Sequence, residues 1–230
     1  MNRNLIYPLI IMGLVLIFSN SCKKNDNNNT STGVTVTDID DNVYHTVTIG
    51  TQVWMVENLK TTKYNDGTAI PLVTDGPTWA GLLTPAYCWY NNNEVTYKNT
   101  YGPLYNWFAV NTGKLCPAGW HVPTDAEWGT LITYLGDTTL AGGKLKEAGT
   151  VHWASPNTGA TNSTGFTALP GGSRYTNGLF YLNGKYGWWW SSTESSSSDA
   201  WHQYMQYNTS LIYRTAGSKI IGFSVRCIKG

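Results

Sequence analysis

The sequence predicts an α+β fold, in which two helices pack on a loop-rich antiparallel β-sheet. Two observations predict this class. A helical hydrophobic period is confined to segments between Pro103 and Ala148, whereas from Val151 onward short apolar segments are separated by Gly, Asn and Ser. Helices and strands therefore segregate along the chain instead of alternating, as expected of an α+β domain.

The first elements are predicted to be three short strands at residues 34–37, 43–49 and 52–56. Turn-forming residues at positions 40–42 and Gly50 separate these strands. The acidic residues of the first turn are not followed by the glycine and the distal glutamate of an EF-hand. We therefore interpret them as turn formers and not as calcium ligands.

Local signals predict the helices in the middle of the chain. An irregular stretch over residues 65–100 is followed by a helix over residues 103–110, whose first turn suits a proline. Residues 124–127 read Thr-Asp-Ala-Glu, which is a capping box, and the helix that it starts is predicted to end at Gly136. A weaker helical segment covers residues 140–148. The later strands are predicted at residues 165–169, 179–182, 188–191, 200–207, 211–214 and 220–228.

The N-terminal residues predict export and a lipid anchor. Residues 1–21 have a basic start and an apolar run that is too short to span a membrane, as in a secretory signal peptide. Cys22 follows at once and resembles the acylated cysteine of the bacterial lipobox, with Ser19 in the place where leucine is usual. Residues 22–33 lack large apolar side chains and are expected to form a flexible tether to a single domain over residues 34–230. We expect an outer-membrane lipoprotein that faces the periplasm or the cell surface; the alternative is an ordinary signal peptide with Cys22 lost or left as a thiol.

Composition limits the functions of the mature chain. Without Arg3 it carries 14 basic and 14 acidic residues, so it lacks the excess of positive charge with which proteins bind nucleic acids. The full sequence has 11 Trp and 15 Tyr, which are many for this length. Aromatic side chains fill the core of irregular folds, and they also concentrate at binding surfaces, so both interpretations stay open.

Motifs along the domain resemble the Fibrobacter succinogenes major paralogous domain, a largely uncharacterised family. They occur in the family's order and span residues 36–228. The motifs are Ile49-Gly50-Thr51-Gln52-Val53-Trp54-Met55 with Glu57-Asn58-Leu59, Tyr101-Gly102 through Tyr105-Asn106-Trp107, Cys116-Pro117-Ala118-Gly119-Trp120-His121-Val122-Pro123 with Glu127-Trp128, Leu169-Pro170-Gly171-Gly172, Trp190-Ser191-Ser192 and Gly222-Phe223-Ser224-Val225-Arg226-Cys227.

Two segments are also similar to formylglycine-generating enzymes, which have the C-type lectin-like fold. Residues 122–128 resemble a segment that opens a helix in those enzymes, and Gly222-Phe223 with Arg226 resembles their closing strand. The resemblance implies a C-type lectin-like fold. Because a disulfide links the first helix region to the last strand in such domains, it also implies a bridge between Cys116 and Cys227. The alternative is that both cysteines are buried thiols.

An enzyme is not expected, and neither is a cofactor. Formylglycine-generating enzymes use two reactive cysteines toward the C-terminal end, where this chain holds only Cys227, and Cys88 has no evident base beside it. The four histidines lack metal-ligand spacing. A hydrolase with two carboxylates is the remaining enzymatic alternative, because Glu94, Glu194 and Asp199 could meet in the folded chain.

The calcium-dependent sugar site of C-type lectins is also not expected. That site needs Glu-Pro-Asn or Gln-Pro-Asp, followed by Trp-Asn-Asp. Residues 155–157 read Ser-Pro-Asn, which lacks the carboxylate, and the nearest equivalent of the second motif, at residues 64–66, precedes it. We therefore expect no metal.

The best candidate for a binding site is the tryptophan run that precedes a serine-rich stretch. In a strand, alternate side chains face opposite sides, so at least one of the three rings is expected to be exposed and to stack on a sugar. We expect a non-enzymatic binding module for a polysaccharide or a surface protein, with a purely structural envelope protein as the alternative. The candidate residues are Trp188, Trp189, Trp190, Glu194, Asp199, Trp201 and Tyr204.

Overall fold

Short strands and helices alternate with long irregular segments in this computed structural model, which describes Met1 and residues 34–230. The predicted signal peptide, the lipidated Cys22 and the tether lie outside the described residues. The strands are β1 (Thr35–Thr37), β2 (Val43–Ile49), β3 (Gln52–Met55), β4 (Tyr87–Cys88), β5 (Leu104–Tyr105), β6 (Trp120–His121), β7 (Ser173–Arg174), β8 (Phe180–Tyr181), β9 (Tyr186–Glu194), β10 (Asp199–Gln206), β11 (Ile212–Ser218) and β12 (Ile228–Lys229). The helices are α1 (Gly76–Ala80), α2 (Glu94–Tyr101), α3 (Trp107–Val110), α4 (Asp125–Tyr134) and α5 (Thr138–Leu145).

A five-stranded antiparallel sheet joins the two ends of the domain. Its order is β1-β2-β3-β12-β6, so the last strand lies between two strands from much earlier in the chain. The disulfide between Cys116 and Cys227 lies beside this junction, with the two Cα atoms 6.1 Å apart. The pairing that the resemblance to lectin-like domains implies is therefore the one that forms. In the chain-entropy picture, closing a loop of this size stabilises a fold by about 4–5 kcal/mol.

A second sheet, of three strands in the order β11-β10-β9, carries the tryptophan run and several of the later tyrosines. Its strands pair antiparallel, and Tyr204 of β10 lies opposite Trp188 on one side and Tyr213 on the other. One face packs into a hydrophobic cluster with α4 and α5, through Trp189 and Met205. The opposite face packs in part against a different cluster and is otherwise open.

The predicted capping box at the start of α4 is confirmed. The Thr124 side chain accepts a hydrogen bond from the backbone amide of Glu127, and the Glu127 carboxylate accepts one from the Thr124 amide at 2.7 Å. This arrangement satisfies two amides that the first turn of a helix leaves without partners. A second Glu127 oxygen lies 2.8 Å from His121 Nε2, which ties the helix start to β6.

The α+β class is confirmed, but the structure corrects several elements. The described residues contain five α-helices and a short 3-10 helix (Tyr90–Asn92) instead of two helices. The predicted helix over residues 103–110 begins only at Trp107, because residues 104–105 pair with β4 and exchange backbone hydrogen bonds with Phe223. Helix α2 lies in the stretch predicted to be irregular; none of its residues is buried, so it shows no hydrophobic period.

Two predicted strands in the second half are wrong. Residues 165–169 form a single isolated bridge, because Gly165 and Thr167 adopt positive φ angles that break an extended strand. Residues 220–228 pair as a strand only at the end, in β12, and otherwise cross between sheets through isolated bridges. None of the described helices is both long and apolar enough to cross a membrane.

Candidate ligand groove

Four half-buried aromatic rings lie side by side on the open face of the three-stranded sheet. We call this set, Tyr186, Trp188, Tyr204 and Tyr213, the aromatic row. Tyr186 stacks on Trp188 with ring centroids 5.0 Å apart, and Tyr204 stacks on Tyr213 at 4.6 Å. The row arises because residues two apart share one face of a strand. The register then places Tyr204 opposite Trp188 on one neighbouring strand and opposite Tyr213 on the other.

Phe223 supports the aromatic row from its buried side. Its ring is nearly parallel to that of Trp188, with centroids 5.8 Å apart, and it is itself buried. Phe223 belongs to the irregular segment that precedes β12, and its amide and carbonyl exchange hydrogen bonds with Tyr105. Trp188 is therefore fixed in orientation while part of its surface stays exposed.

The hairpin of β7 and β8 forms a wall beside the row. Tyr175 and Tyr181 are exposed and contact each other edge to face, with centroids 5.9 Å apart. Asn177 donates a hydrogen bond to the Tyr181 hydroxyl at 2.8 Å. The buried Arg174 holds the base of the hairpin, because its guanidinium donates to the carbonyls of Val73, Thr74 and Gly178.

Two cavities adjoin between the wall and the row, and together they form what we call the aromatic groove. The first has a volume of about 300 Å³ and the second about 320 Å³; both are lined by Ser173, Tyr175 and Trp188. The first is also lined by Asn177, Tyr181 and Leu182, and the second by His202, Tyr204, Thr215, Ala216, Gly217, Ile221 and Phe223.

No Asp, Glu, Lys or Arg is among the residues that line the aromatic groove. Its one titratable base is His202, which is 4% exposed. Burial lowers the pKa of His202 to about 4, so the imidazole is neutral at physiological pH. The groove thus offers aromatic faces, hydroxyls, an amide and a neutral imidazole, a set that suits an uncharged ligand with both apolar and hydrogen-bonding surfaces.

The family that the sequence suggested is matched over most of the chain. The Fibrobacter succinogenes major domain (Fib_succ_major) matches residues 47–229. This chain belongs to that family. No curated protein and no solved structure matches this chain significantly.

Within this Fibrobacter succinogenes major domain, the structure divides the tryptophan run. Trp188 lies in the aromatic groove, as does Tyr204. Trp189 and Trp190 have no exposed surface, so their assignment as ligand-binding residues is wrong. The Trp189 indole donates to Asn58 Oδ1 at 2.8 Å, and that of Trp190 donates to the carbonyl of Tyr105 at 2.9 Å.

Trp201 is also separated from the groove. It lies on the face of the sheet that α4 covers, where the Arg214 guanidinium carbon is 3.4 Å from the centre of its ring. The same guanidinium makes two hydrogen bonds to Asp125 at the start of α4. These contacts occupy one face of the indole and connect the sheet to the helix.

The predicted acidic residues hold turns and ion pairs. Glu194 pairs with the buried Lys219, and Asp199 accepts hydrogen bonds from Ser196 and Ser198 in the β9–β10 turn. Glu94, the third candidate carboxylate, pairs with a lysine one turn along α2. None of these carboxylates lines the aromatic groove.

Two further residues from the sequence have structural surroundings. Cys88 is buried without a disulfide partner, and burial raises the pKa of its thiol to about 12, which keeps it in the unreactive protonated form. Asn157, from the segment compared with the lectin calcium motif, is buried and donates to the carbonyls of Glu147 and Gly149.

Several residues of the aromatic row and of the aromatic groove were missed by the sequence analysis. Tyr186 stands two residues before Trp188, and His202 two residues before Tyr204, so the period of a strand could have placed each pair on one face. Nothing in the sequence places Tyr175 or Tyr181 next to them. That contact depends on how the β7–β8 hairpin packs against the sheet.

Proposed function

We propose that this chain is a non-enzymatic lipoprotein of the cell envelope that binds a glycan in its aromatic groove without calcium. The observation that carries the proposal is the aromatic row, a set of stacked rings that stays half exposed beside a tyrosine wall. Sugar rings present apolar faces of C–H groups that pack on aromatic rings, and the surrounding hydroxyls and amide can hydrogen-bond the sugar hydroxyls.

The lectin-like part of the proposal rests on topology. The last strand lies between strands from the first half of the domain, and the disulfide joins the region before α4 to that last strand. Both features agree with a C-type lectin-like fold. The groove lies on the separate three-stranded sheet and Asn157 does not line it, so the proposed mode of binding does not use the calcium-centred motif of that group.

The location on the envelope rests on the sequence of residues 1–33. A lipid anchor at Cys22 and a polar tether would hold the domain at a membrane surface while leaving the groove accessible. Incorporation of labelled fatty acid into the full chain is expected in a bacterial host, and a Cys22→Ser variant should lose it. Equal labelling of both forms would overturn the anchor.

A protein partner is the second candidate, favoured by one observation. Leu179 and Leu182 are about half exposed beside the tyrosine wall, at 58% and 41%. Apolar residues next to tyrosines are common at protein interfaces. A protein partner would bury these leucines, whereas a glycan needs only the rings.

The test uses residues 33–230, which cluster as one compact unit and contain the three hydrophobic clusters and the disulfide. Binding is measured to insoluble polysaccharides and to a glycan array, with and without a chelator. We expect binding that resists the chelator and is lost in Trp188→Ala. Trp201→Ala is the matched control, because it removes the same side chain from the opposite face of the sheet.

The outcomes separate the candidates. Loss of binding in Trp188→Ala alone supports the aromatic groove. Binding that the chelator abolishes, or that both variants lose equally, contradicts it. If no glycan binds, glycan recognition is wrong, and a Leu179→Ser, Leu182→Ser variant then tests the protein-binding alternative by capture of envelope proteins.

A further inference from the structure

The second cavity of the aromatic groove has a polar group that no described residue satisfies. His202 lines this cavity and is 4% exposed, and its Nδ1 has no hydrogen-bond partner among the described residues. Buried polar groups are nearly always paired, because an unpaired one loses its hydration without compensation. A ligand hydroxyl in the cavity would supply the missing partner.

The surroundings of His202 hold its ring in place. Its ring centroid is 4.6 Å from that of Phe223 and 5.6 Å from that of Trp190, and Tyr204 lies on the same strand face at 6.3 Å. A residue held by aromatic neighbours on several sides keeps its orientation before a ligand arrives. Such preorganisation reduces the entropy lost on binding.

The edge of the imidazole packs closely on Gly217. A Cβ at this position would lie 2.8 Å from Cε1 and 3.2 Å from Nδ1 of His202. The backbone of Gly217 does not adopt a positive φ, so the chain geometry itself would accept alanine. The absent side chain therefore matters for the close packing of the imidazole and not for the turn of the chain.

The cavity is small and uncharged. Its volume of about 320 Å³ is at the low end of the range of roughly 300–1,000 Å³ for ligand pockets, a size that suits one sugar ring. A charged sugar, such as a uronic acid, would lose hydration on entering without finding a lysine or an arginine among the lining residues. Both features favour a single neutral residue at the end of a glycan chain.

We propose that this cavity is a subsite for one uncharged terminal sugar residue, which stacks beside Trp188 and hydrogen-bonds to Nδ1 of His202. The proposal rests on the glycan-binding function proposed above and adds the class of sugar and the residue that selects it. Trp188 supplies affinity for any sugar face, whereas His202, held in position against Gly217, determines which residue fits.

Nuclear magnetic resonance of the imidazole nitrogens tests the subsite directly. The protein from residue 33 to 230, labelled with ¹⁵N at histidine, is titrated with the methyl glycosides of glucose, galactose, mannose, xylose and N-acetylglucosamine. Methyl glucuronide is the charged comparison. We expect at least one neutral glycoside to shift the His202 Nδ1 resonance, while methyl glucuronide does not.

Two variants test the residue roles. Gly217→Ala should weaken binding of the responding glycoside at least tenfold, because the added methyl group would clash with the imidazole and displace Nδ1. His202→Phe keeps an aromatic ring among the same neighbours but removes both nitrogens, and a similar loss is expected. Unchanged near-ultraviolet circular dichroism would show that both variants are folded.

Each result decides between the two proposals. If the protein binds polysaccharides through Trp188 but no glycoside shifts Nδ1, the subsite is wrong and glycan binding stands. The subsite is also overturned if Gly217→Ala and His202→Phe bind like the original chain, or if methyl glucuronide binds equally well. If no polysaccharide, array glycan or glycoside binds, both proposals fail.

Discussion

The two faces of the sheet formed by β9, β10 and β11 carry similar aromatic residues and use them differently. On the helix-covered face, Trp189 is fully buried and hydrogen-bonded to Asn58. On the open face, Trp188 and Tyr204 stay half exposed and line a groove. Of two adjacent tryptophans in one strand, Trp189 thus packs in the core, whereas Trp188 keeps an exposed surface.

The difference shows that exposure is set by what covers a face. Trp190 shares the open face with Trp188, but Phe223 packs on it at 4.6 Å and no part of it is exposed. The open face is therefore divided again along its length. One end is closed by the segment before β12, and the other end is left accessible.

The largest expected effect comes from the covered face. Trp189→Ala should lower the free energy of unfolding by about 3–5 kcal/mol, because it removes a fully buried indole and leaves a cavity. Trp188→Ala should lower it by no more than about 2 kcal/mol, because that ring is already partly exposed. Guanidinium denaturation of both variants measures the contrast, and equal losses would mean that the two faces do not differ as described.

An intermediate effect concerns pH and the buried imidazole of the open face. The pKa of His202 is lowered to about 4 by burial, whereas in the unfolded chain it returns to about 6.5. Between a pH of about 4 and a pH of about 6.5, His202 binds more protons in the unfolded state than in the folded state. The free energy of unfolding therefore falls as the pH falls. The loss from this residue is expected to be about 2 kcal/mol between pH 7.5 and pH 5.

The control for this prediction is His202→Phe, which has no proton to bind at that position. Denaturation midpoints at both pH values are compared for the two proteins. The original chain should lose more stability on acidification than the variant. Parallel losses in both would show that His202 does not carry the pH dependence.

The smallest effect is expected at Trp201, which is partly exposed. Arg214 covers one face of its ring and also pairs with Asp125. Trp201→Ala should lower the free energy of unfolding by about 1 kcal/mol, because a partly exposed cation–π contact contributes little. Polysaccharide binding should be unchanged, and a variant that loses binding while it stays folded would place part of the ligand site on the helix-covered face.

Sequence reasoning succeeded where the signal was local. The capping box at Thr124 and Glu127 formed as expected, because its partners are three residues apart. The strands around residue 46 and residue 203 were found within a few residues, since alternation is visible in the chain itself. The helix at residues 103–110 was misjudged at its start, where pairing with distant residues overrides the local preference.

The candidate site was predicted only in part. Strand alternation correctly placed Trp189 on the face opposite to Trp188 and Trp190. It could not show that Trp190 is covered while Trp188 is open. Glu194 and Asp199 were grouped with the rings because they are near in sequence, yet they hold Lys219 and the β9–β10 turn.

The sequence by itself determined the α+β class, the start of α4 and the alternation of the tryptophan run, because all of these depend on neighbours within a few residues. Tertiary structure alone decided which rings remain exposed. That choice depends on Phe223 and on the hairpin that carries Tyr175 and Tyr181, which reach the sheet from distant parts of the chain. Burial is a property of packing between such segments, so a binding groove emerges only when they meet.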